Sequence, residues 1–274
     1  MGHNPLGQQT EYISRYAPHL LFPIARSESR KQLGIGSRLP FFGVDIWTGY
    51  ELSWLDKSGK PVVAVAEFVI PCRSEFIIES KSFKLYLNSF NQTRFNSDEE
   101  VRSTIIDDLS RAAKADIGVT IFPLRGRAVT NYLADIAQPE AVLLDELDVV
   151  VDSYHPEPTL LAIGAEQVEE VLVSHLLKTN CPVTGQPDWA SIFIRYKGSK
   201  ILHENLLRYL ISFREHQDFH EHCVERIFCD LQRICKPESL SVYARYTRRG
   251  GLDINPFRAS DSQVTPDSIR LIRQ

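Results

Sequence analysis

The sequence predicts an α+β protein in which one β-β-α-α-β-β unit occurs twice. Hairpin-like pairs of apolar runs precede two helical stripes and further strand patterns, first in residues 41–155 and again in residues 156–274. The segment Leu85–Phe90 also aligns with Arg208–Phe213, at an offset of about 123 residues. Because the match continues through a second helix, it indicates an internal duplication. We therefore expect antiparallel sheets with a helix pair on one face of each.

The first unit begins with two runs that are rich in β-branched and aromatic residues. Ile46–Leu55 and Pro61–Ile70 predict the two strands of a hairpin. A helix entered through Ser80 comes next, and a second helix starts at Ser97, whose spacing to Glu100 is typical of a capping box. The later strands of this unit are predicted at Ile117–Leu124 and Leu143–Val151.

The second unit repeats this order with its own patterns. Its predicted strands are Val168–Leu177, Ser191–Tyr196, Leu240–Thr247 and Ser268–Arg273, and its predicted helices are Glu204–Arg214 and His220–Ile234. Two units with six or more strands favour closure into a barrel through self-association, because closure removes exposed strand edges.

Prolines mark the predicted domain limits. Residues 1–40 are predicted to be an N-terminal extension, because four prolines interrupt any long element there. The pair Pro156 and Pro158 separates a first module, residues 41–155, from a second module, residues 156–274.

The totals exclude some classes of function. The chain has 274 residues and a formal net charge of −4, which argues against a broad nucleic-acid-binding face. It has no run of eighteen apolar residues and no signal-peptide pattern, so neither a membrane partner nor secretion is expected. Five cysteines, an odd number, indicate reduced thiols and a cytoplasmic protein.

Cys181 lies in a loop that holds the strongest chemical signal of the sequence. Pro182, Gly185 and Pro187 set the turns of this loop, and Asp188 follows seven residues after the cysteine. A folded-back loop would bring the thiol and the acid together, which suits covalent catalysis with proton delivery. The alternative interpretation is a buried cysteine and a turn aspartate.

Features that occur in only one unit are further candidates. Glu79-Ser80-Lys81-Ser82 belongs to the first unit, and His220-Glu221 belongs to the second. Glu221 could accept ligand N–H groups and His220 could transfer a proton near neutral pH, but the two residues could also simply start a helix. Glu79 is open to the same two interpretations, while Lys81 could meet a phosphate.

Two other clusters allow a metal site and a phosphate site. Zinc is one interpretation of the cluster His216, His220, His222, Cys223 and Cys229, but the spacing matches no zinc motif and helix packing is the alternative. A glycine-rich dinucleotide motif is absent from the sequence. Arg248-Arg249-Gly250-Gly251 therefore remains as a phosphate-binding loop or as an ordinary charged turn.

Four motifs in order carry a family resemblance: ESKSFKLYLNSFNQT at Glu79–Thr93, NCPVTGQPDW at Asn180–Trp189, FHEHCVERIF at Phe219–Phe228 and YARYTRRGGLDINP at Tyr243–Pro256. They resemble the QueF family, the NADPH-dependent 7-cyano-7-deazaguanine reductases, in its long two-module form. The resemblance implies tandem tunnelling-fold (T-fold) modules that assemble a β-barrel ringed by helices. It also implies reduction of a nitrile to an amine by two NADPH, a step in queuosine synthesis for tRNA.

The resemblance also implies a role for each matching residue. Cys181 would form a thioimide with the nitrile and Asp188 would donate protons. The deazapurine substrate would lie at Ile78, Glu79, Ser80, His220 and Glu221, and NADPH would lie at Ser80, Lys81, Arg249 and Gly250. No metal site and no direct nucleic-acid contact are expected.

Because the Glu79 and Cys181 motifs lie in different modules, we expect the active site at a module interface and the protein to be a homodimer. The alternatives are a zinc-dependent T-fold enzyme similar to a cyclohydrolase and a purine-binding module without catalysis.

Overall fold

Ten strands and five α-helices are present in residues 13–124, 141–267 and 270–274, the part of the chain that the computed structural model describes. The strands are β1 (Pro23–Ala25), β2 (Phe42–Leu55), β3 (Pro61–Pro71), β4 (Phe76–Ile78), β5 (Gly118–Pro123), β6 (Val142–Leu143), β7 (Ile163–Asn180), β8 (Pro187–Ile201), β9 (Ser239–Tyr246) and β10 (Leu252–Ala259). The helices are α1 (Arg26–Gln32), α2 (Ser80–Asn88), α3 (Asp98–Ala113), α4 (His203–Ile211) and α5 (His220–Ile234).

One eight-stranded sheet joins the two halves of the chain. Its order is β5-β3-β2-β10-β9-β8-β7-β6, and every neighbouring pair is antiparallel except β6 with β7. The strand β10 belongs to the second half but pairs with β2 of the first half along its whole length. A separate two-stranded sheet contains β1 and β4. The α+β class with antiparallel strands is confirmed.

The predicted hairpins are present, and they position the later site. β2 and β3 form one hairpin, and β7 and β8 form the other. The second hairpin is long and pairs Thr179 with Asp188 at its closed end. The loop between these strands therefore carries Cys181 directly beside the start of β8.

Helices cover one face of the sheet in two separate cores. The first core packs α2 and α3 on β2 and β3 around Trp54, Phe68 and Phe83. The second core packs α4 and α5 on β7, β8 and β9, with Phe213 and Phe228 at its centre. The apolar stripes of these helices follow the spacing of about 3.6 residues that predicted them.

Matching hydrogen bonds in the two halves support the inferred duplication. In the first half, the Tyr86 hydroxyl donates to Asp108 Oδ2 at 2.7 Å. The aligned residue Tyr209 donates to the aligned Asp230 Oδ2 at 2.8 Å. Both tyrosines lie in the first helix of a pair and both acids lie in the second helix, so an equivalent hydrogen bond joins the two helices of each pair.

Two predicted strands are wrong. Of the predicted strand Leu143–Val151 only Leu143 lies in a strand, the two-residue β6, because the Asp145 carboxylate accepts hydrogen bonds from Ser174 Oγ and the His175 N–H of β7. At the other end, residues 270–274 form a turn instead of a strand, while Ser268 and Ile269 lie outside the described residues.

The strand β10 was not predicted from the sequence, although all eight of its residues are buried. The strand contains Pro256, and proline argues against a strand because it is unusual inside a sheet. The ladder tolerates it because β10 pairs with β9 only from Phe257 onward, so Pro256 requires no N–H on that side. Smaller differences occur at helix ends: α2 is capped by Glu79 instead of Ser80, and α4 ends at Ile211 in a short 3₁₀ turn.

The segment that precedes β2 is tied into the fold by buried charges. Its helix α1 contributes Arg26 and Arg30, which are 1% and 8% exposed. They join Asp45, Glu225 and Arg258 in a set of five residues that we call the buried charge cluster. The predicted module limits remain predictions. In the described residues, no helix is long and apolar enough to cross a membrane.

Candidate active site

A small cavity lies where the two halves of the sheet meet. β2, β4 and the first residue of α2 come from the first half, and the remaining wall comes from the β7–β8 loop, β8, the β9–β10 turn, β10 and the start of α5. Seven residues predicted from the sequence line it, namely Ile78, Ser80, Cys181, Asp188, His220, Glu221 and Arg249. Residues that are more than 170 positions apart in the chain, such as Ile78 and Arg249, thus meet at one cavity.

The Cys181 loop is a tight turn held by its own backbone. The Cys181 N–H donates to the Gln186 carbonyl at 2.8 Å, and the Gly185 N–H donates back to the Cys181 carbonyl at 2.9 Å. Gly185 has a φ of 67°, a left-handed conformation that glycine adopts at little cost. The loop therefore fixes the cysteine backbone at the closed end of the hairpin.

The Cys181 thiol has the electrostatic surroundings of a nucleophile. Burial alone would raise its pKa, but hydrogen bonds from the Thr184 hydroxyl and from the backbone N–H groups of Thr184 and Val183 outweigh burial. The Arg249 charge acts in the same direction, and the pKa of Cys181 is lowered. A lowered pKa raises the fraction of thiolate at neutral pH, which is the reactive form.

Asp188 is the acid nearest to this loop, and it is held from two sides. The side chain is only 6% exposed. Its Oδ1 lies 3.0 Å from Arg249 Nη2, and its Oδ2 lies 3.3 Å from His220 Nε2. Asp188 therefore contacts one cationic group and one group that can exchange protons near neutral pH.

His220 is fixed by stacking as well as by this contact. Its ring lies on the Tyr246 ring with centroids 3.7 Å apart and planes 1° apart. Its Nδ1 is buried and has no hydrogen-bond partner among the described residues. Stacking and the Asp188 contact hold the imidazole in one orientation.

Glu221 follows His220 at the start of α5 and is 2% exposed. Burial and the neighbouring anion of Asp45 raise its pKa, while the charges of Arg26 and His220 act in the opposite direction. A buried carboxylate on a cavity wall must either become neutral or find hydrogen-bond donors. The N–H groups of a bound ligand would be such donors.

The histidines that suggested zinc have another partner. The Asp218 carboxylate lies 3.1 Å from His222 Nδ1 and 3.5 Å from His216 Nε2. In the described ranges, no three His, Cys, Asp or Glu side chains are grouped so that they could hold a metal ion. The positions of His216 and His222 are explained by this acid, which directly precedes the first residues of α5.

Three predicted site residues do not line the cavity. The Glu79 carboxylate instead accepts hydrogen bonds from the N–H groups of Lys81 and Ser82, and so caps α2. Lys81 is exposed and directly follows Ser80, which does line the cavity. Gly250 follows Arg249, and its carbonyl accepts a hydrogen bond from Lys84 Nζ.

Some lining residues were not predicted. Asp218 and Phe219 directly precede His220, so their position in the chain was the available signal. Trp47 gave no such signal, because it reaches the cavity only through the pairing of β2 with β10, where it faces Ile254. Trp47 is 1% exposed, and its Nε1 has no hydrogen-bond partner in the described part of the chain.

The cavity is small in this structure. Its volume is about 20 Å³, which is room for a single water molecule. Pockets for small organic ligands are usually at least roughly 300 Å³. A ligand with two rings would therefore have to displace side chains. Arg249 is a candidate, because its side chain is 40% exposed although it pairs with Asp188.

Two family models match the chain. One, described as nitrile reductase, 7-cyano-7-deazaguanine-reductase N-term, matches residues 12–121. The other, described as QueF-like protein, matches residues 187–265.

Curated relatives match the chain along nearly all of its length. A protein from Azoarcus sp. (strain BH72) is 56% identical over 272 residues, which is 99% of this chain and 95% of that protein. One from Dechloromonas aromatica (strain RCB) is 57% identical over 273 residues with the same coverage. One from Ralstonia nicotianae is 54% identical over 278 residues, 99% of this chain and 98% of that protein. All three are named NADPH-dependent 7-cyano-7-deazaguanine reductase.

Among solved structures, the apo form of the archaeosine synthase QueF-Like gives a TM-score of 0.31 at 14% identity. It covers 37% of this chain and 98% of that chain, a similarity too weak to bear on the fold.

Proposed function

The chain belongs to the family of NADPH-dependent 7-cyano-7-deazaguanine reductases, and from this we propose that it reduces the nitrile of 7-cyano-7-deazaguanine to the aminomethyl group through a thioimide on Cys181. One observation carries the proposal most directly. Cys181 and Asp188 come from the closed end of one hairpin and Glu221 from the start of a helix more than thirty residues later, and all three line the same cavity. A nucleophile, an acid and an acceptor for base N–H groups are the three functions that this reaction requires.

The first step uses the thiol and the acid. The Cys181 sulfur adds to the nitrile carbon, one carbon–nitrogen π bond breaks, and Asp188 gives a proton to the nitrogen. The product is a thioimide, whose C=N carbon accepts hydride more readily than a nitrile carbon does. The lowered pKa of Cys181 favours this addition because it supplies thiolate near neutral pH.

The residues at the mouth of the cavity fit the phosphate groups of NADPH. Arg249 has a 40% exposed side chain, and Lys81 is exposed and directly follows Ser80, which lines the cavity. Gly250 and Gly251 follow with φ values of 61° and 80°, so the backbone turns there without a side chain in the way. We propose that Ser80, Lys81, Arg249 and Gly250 hold this cofactor. When bound, NADPH supplies one hydride to the thioimide carbon and a second NADPH supplies one to the imine that remains after sulfur leaves.

Asp188 and His220 transfer the protons that both reductions require. The amine nitrogen gains a proton with each hydride, and Cys181 leaves the carbon between the two reductions. Because His220 Nε2 lies 3.3 Å from Asp188 Oδ2, it can return a proton to the carboxylate after each transfer. Arg249 Nη2 lies 3.0 Å from Asp188 Oδ1, and we expect Arg249 to move toward phosphate when NADPH is bound.

The base would be recognised by carboxylates. Glu221 is buried on the cavity wall and can accept N–H groups of the deazaguanine ring. We assign Ile78, Glu79, Ser80 and His220 to the same ligand. A base without these N–H groups would leave a buried acid unpaired, which penalises its binding.

We also propose a T-fold assembly. The eight-stranded sheet has β5 at one edge and β6 at the other. Pairing of two copies would cover such edges and close a barrel, as a homodimer. Size-exclusion chromatography with light scattering tests this, and a fully active monomer would contradict it. We place the reaction in the cytoplasm, since all five cysteines are free and the nucleophile must stay reduced.

The decisive experiment combines intact mass with NADPH consumption. Wild-type protein incubated with 7-cyano-7-deazaguanine and no NADPH should gain the mass of one base, and Cys181→Ala should not. With NADPH added, two molecules should be consumed per nitrile. Folded wild-type protein that forms no adduct and oxidises no NADPH would contradict the proposal and return attention to a metal-dependent or purely binding role.

A further inference from the structure

The end of β9 lies beyond its pairing with β10. These two strands pair only at Phe257, Arg258 and Ala259 of β10. Tyr246, the last residue of β9, is several residues past this ladder and is 1% exposed. Buried backbone N–H and carbonyl groups need hydrogen-bond partners. On the β10 side, Tyr246 must therefore find partners other than a paired strand.

Two side-chain amides supply these partners. Asn255 Oδ1 accepts a hydrogen bond from the Tyr246 N–H at 3.1 Å. Gln274 Nε2 donates to the Tyr246 carbonyl at 3.1 Å and to Asn255 Oδ1 at 2.9 Å. Both amides are buried, with Asn255 0% and Gln274 4% exposed. The main chain at Tyr246 is thus held on this side by Asn255 and Gln274 together.

The orientation of the Gln274 amide is fixed by its other contacts. Its Oε1 accepts from Arg245 Nε at 2.7 Å and from the Leu271 N–H at 3.3 Å. A guanidinium can only donate and a backbone carbonyl can only accept, so exchanging the amide oxygen and nitrogen would break these contacts. Gln274 therefore uses both of its acceptor sites and both of its donor hydrogens, which makes it a rigid support.

The Tyr246 ring carries this support to the proton-transfer groups. It stacks on the His220 ring with centroids 3.7 Å apart, and His220 Nε2 lies 3.3 Å from Asp188 Oδ2. A histidine that transfers protons is commonly oriented by a hydrogen bond to its other ring nitrogen. His220 Nδ1 has no such partner among the residues that the structure describes. Stacking on Tyr246 takes the place of that hydrogen bond.

We propose that Gln274 is a positioning residue for proton transfer at Asp188. Its side-chain amide fixes the main chain of Tyr246, and the Tyr246 ring holds His220 Nε2 toward Asp188. The turn at residues 270–274 then serves the reaction as well as covering the sheet. This rests on the proposed function, which assigns the protons of both reductions to Asp188 and His220.

The first test observes the His220 ring directly by NMR of the full chain with ¹³C-labelled histidine. The ring signal that is missing in His220→Phe belongs to His220, and stacking on Tyr246 should shift it upfield through the ring current. Gln274→Ala and Gln274→Glu should both move it back toward the position of an unstacked histidine. Gln274→Glu retains the acceptor for Arg245 and removes only the two donated hydrogen bonds, so it remains informative if Gln274→Ala folds poorly.

The second test measures turnover at saturating 7-cyano-7-deazaguanine and NADPH. Both Gln274 variants should lower it about tenfold, because a misplaced proton-transfer group loses part of its contribution to the rate. In a His220→Phe background, the same changes should not lower the residual turnover further, since no imidazole remains to be positioned.

Arg273→Ala is the matched control. Arg273 is the neighbouring residue and joins the same turn to the sheet, because its Nη2 donates to the His175 carbonyl at 3.0 Å and to the Ala190 carbonyl at 3.4 Å. Neither contact involves Tyr246. Arg273→Ala should therefore leave the His220 signal and the turnover unchanged.

Three results would overturn the proposal. Equal losses in Gln274→Ala and Arg273→Ala would show that Gln274 only anchors the turn. An unchanged His220 signal or an unchanged turnover in folded Gln274→Glu would remove its role, and so would a further loss of turnover in the His220→Phe background. Failure of the proposed function gives a different pattern, because the wild type would then form no adduct and oxidise no NADPH, while the His220 signal would still respond to Gln274→Glu.

Discussion

At the scale of single residues, the five cysteines differ sharply in their expected reactivity. Burial raises the pKa of Cys72 and Cys223, and raises the pKa of Cys229 to about 12 and of Cys235 to about 11. Only Cys181 among them has a lowered pKa, because hydrogen bonds in its turn and the Arg249 charge outweigh its partial burial. The turn around Cys181 thus makes this thiol a nucleophile, whereas the other four thiols serve packing.

This difference predicts selective alkylation. At pH 7, iodoacetamide should modify Cys181 well before the other four thiols, as followed by peptide mass spectrometry. Thr184→Val should slow the reaction and move its pH midpoint upward, because the hydroxyl hydrogen bond that lowers the pKa of Cys181 is lost.

Thr104→Val is the control for that change. It also removes a hydroxyl hydrogen bond, to the Glu100 carbonyl of α3, but lies far from the thiol in the chain. Equal slowing by both variants would contradict the role given to Thr184.

At the scale of elements, α2 and α3 start with different caps. Ser97 caps α3 through its hydroxyl, as the sequence predicted. Glu79 caps α2 with both carboxylate oxygens, although the family resemblance assigns this residue to the base. A cap of this kind contributes about 1 kcal/mol. The Glu79 carboxylate can thus cap the helix or bind the base, and only base binding requires a carboxylate.

Glu79→Ser separates these uses. Serine is a good cap residue, so the melting temperature should change little. We expect the base to bind at least about tenfold more weakly, because a hydrogen bond to a charged group contributes about 1.5–3 kcal/mol. Calorimetry in the Cys181→Ala background measures this, and unchanged affinity would reduce Glu79 to a helix cap.

Local pattern was enough to predict most elements of this fold. The bounds predicted for α5, His220–Ile234, are those of the structure, because an apolar stripe runs through the whole helix. Such patterns fail where a partner decides the conformation. Asp145 ends β6 by binding β7, and Pro256 is tolerated in β10 because β9 does not pair with it.

The same distinction holds for the candidate site. Cys181 and Asp188 were recognisable because a short hairpin loop brings neighbours in sequence together. Trp47 was not recognisable, since its place at the cavity depends on the pairing of β2 with a strand about 200 residues away. The register of β2 against β10 cannot be predicted from apolar periodicity or from the spacing of motifs.

At the scale of the whole molecule, the buried charge cluster ties four distant segments together. It contacts α1, β2, α5 and β10 within one set of ion pairs. Burial would raise the pKa of Glu225, but the charges of Arg258, Arg30 and Arg26 lower it to about 2. The pKa of Asp45 is lowered by Arg258 and Arg26 despite its burial. Stability should therefore depend on these acids remaining charged.

This dependence predicts a specific acid sensitivity. A carboxylate with a depressed pKa contributes stability fully above its unfolded pKa of about 4.3, and the contribution is lost as the pH falls toward the folded pKa. For Glu225 the loss should span pH values between about 4.3 and 2. Urea unfolding across this range should show a shallower pH dependence in Glu225→Gln than in the wild type.

Glu225→Gln should also be less stable at pH 7, by about 3–5 kcal/mol, because it leaves buried arginines without a partner. Glu166→Gln is the matched control, since Glu166 pairs with Lys200 at 3.2 Å but is 64% exposed. An equally shallow pH dependence in Glu166→Gln would contradict the assignment of acid sensitivity to the cluster.

The central position of β10 has a consequence for how the protein is made. Thr48 of β2 pairs with Asp253 of β10, so β2 must wait for a strand that the ribosome makes about 200 residues later. Until then the first hairpin has an open edge, the kind of surface on which nascent chains aggregate. A chain released before residue 252 would lack the strand that joins its two hairpins. Each hairpin with its helix pair would then remain separate from the other. Synthesis must therefore pass the last residue of β10, Ala259, before the wall between Trp47 and Cys181 can exist.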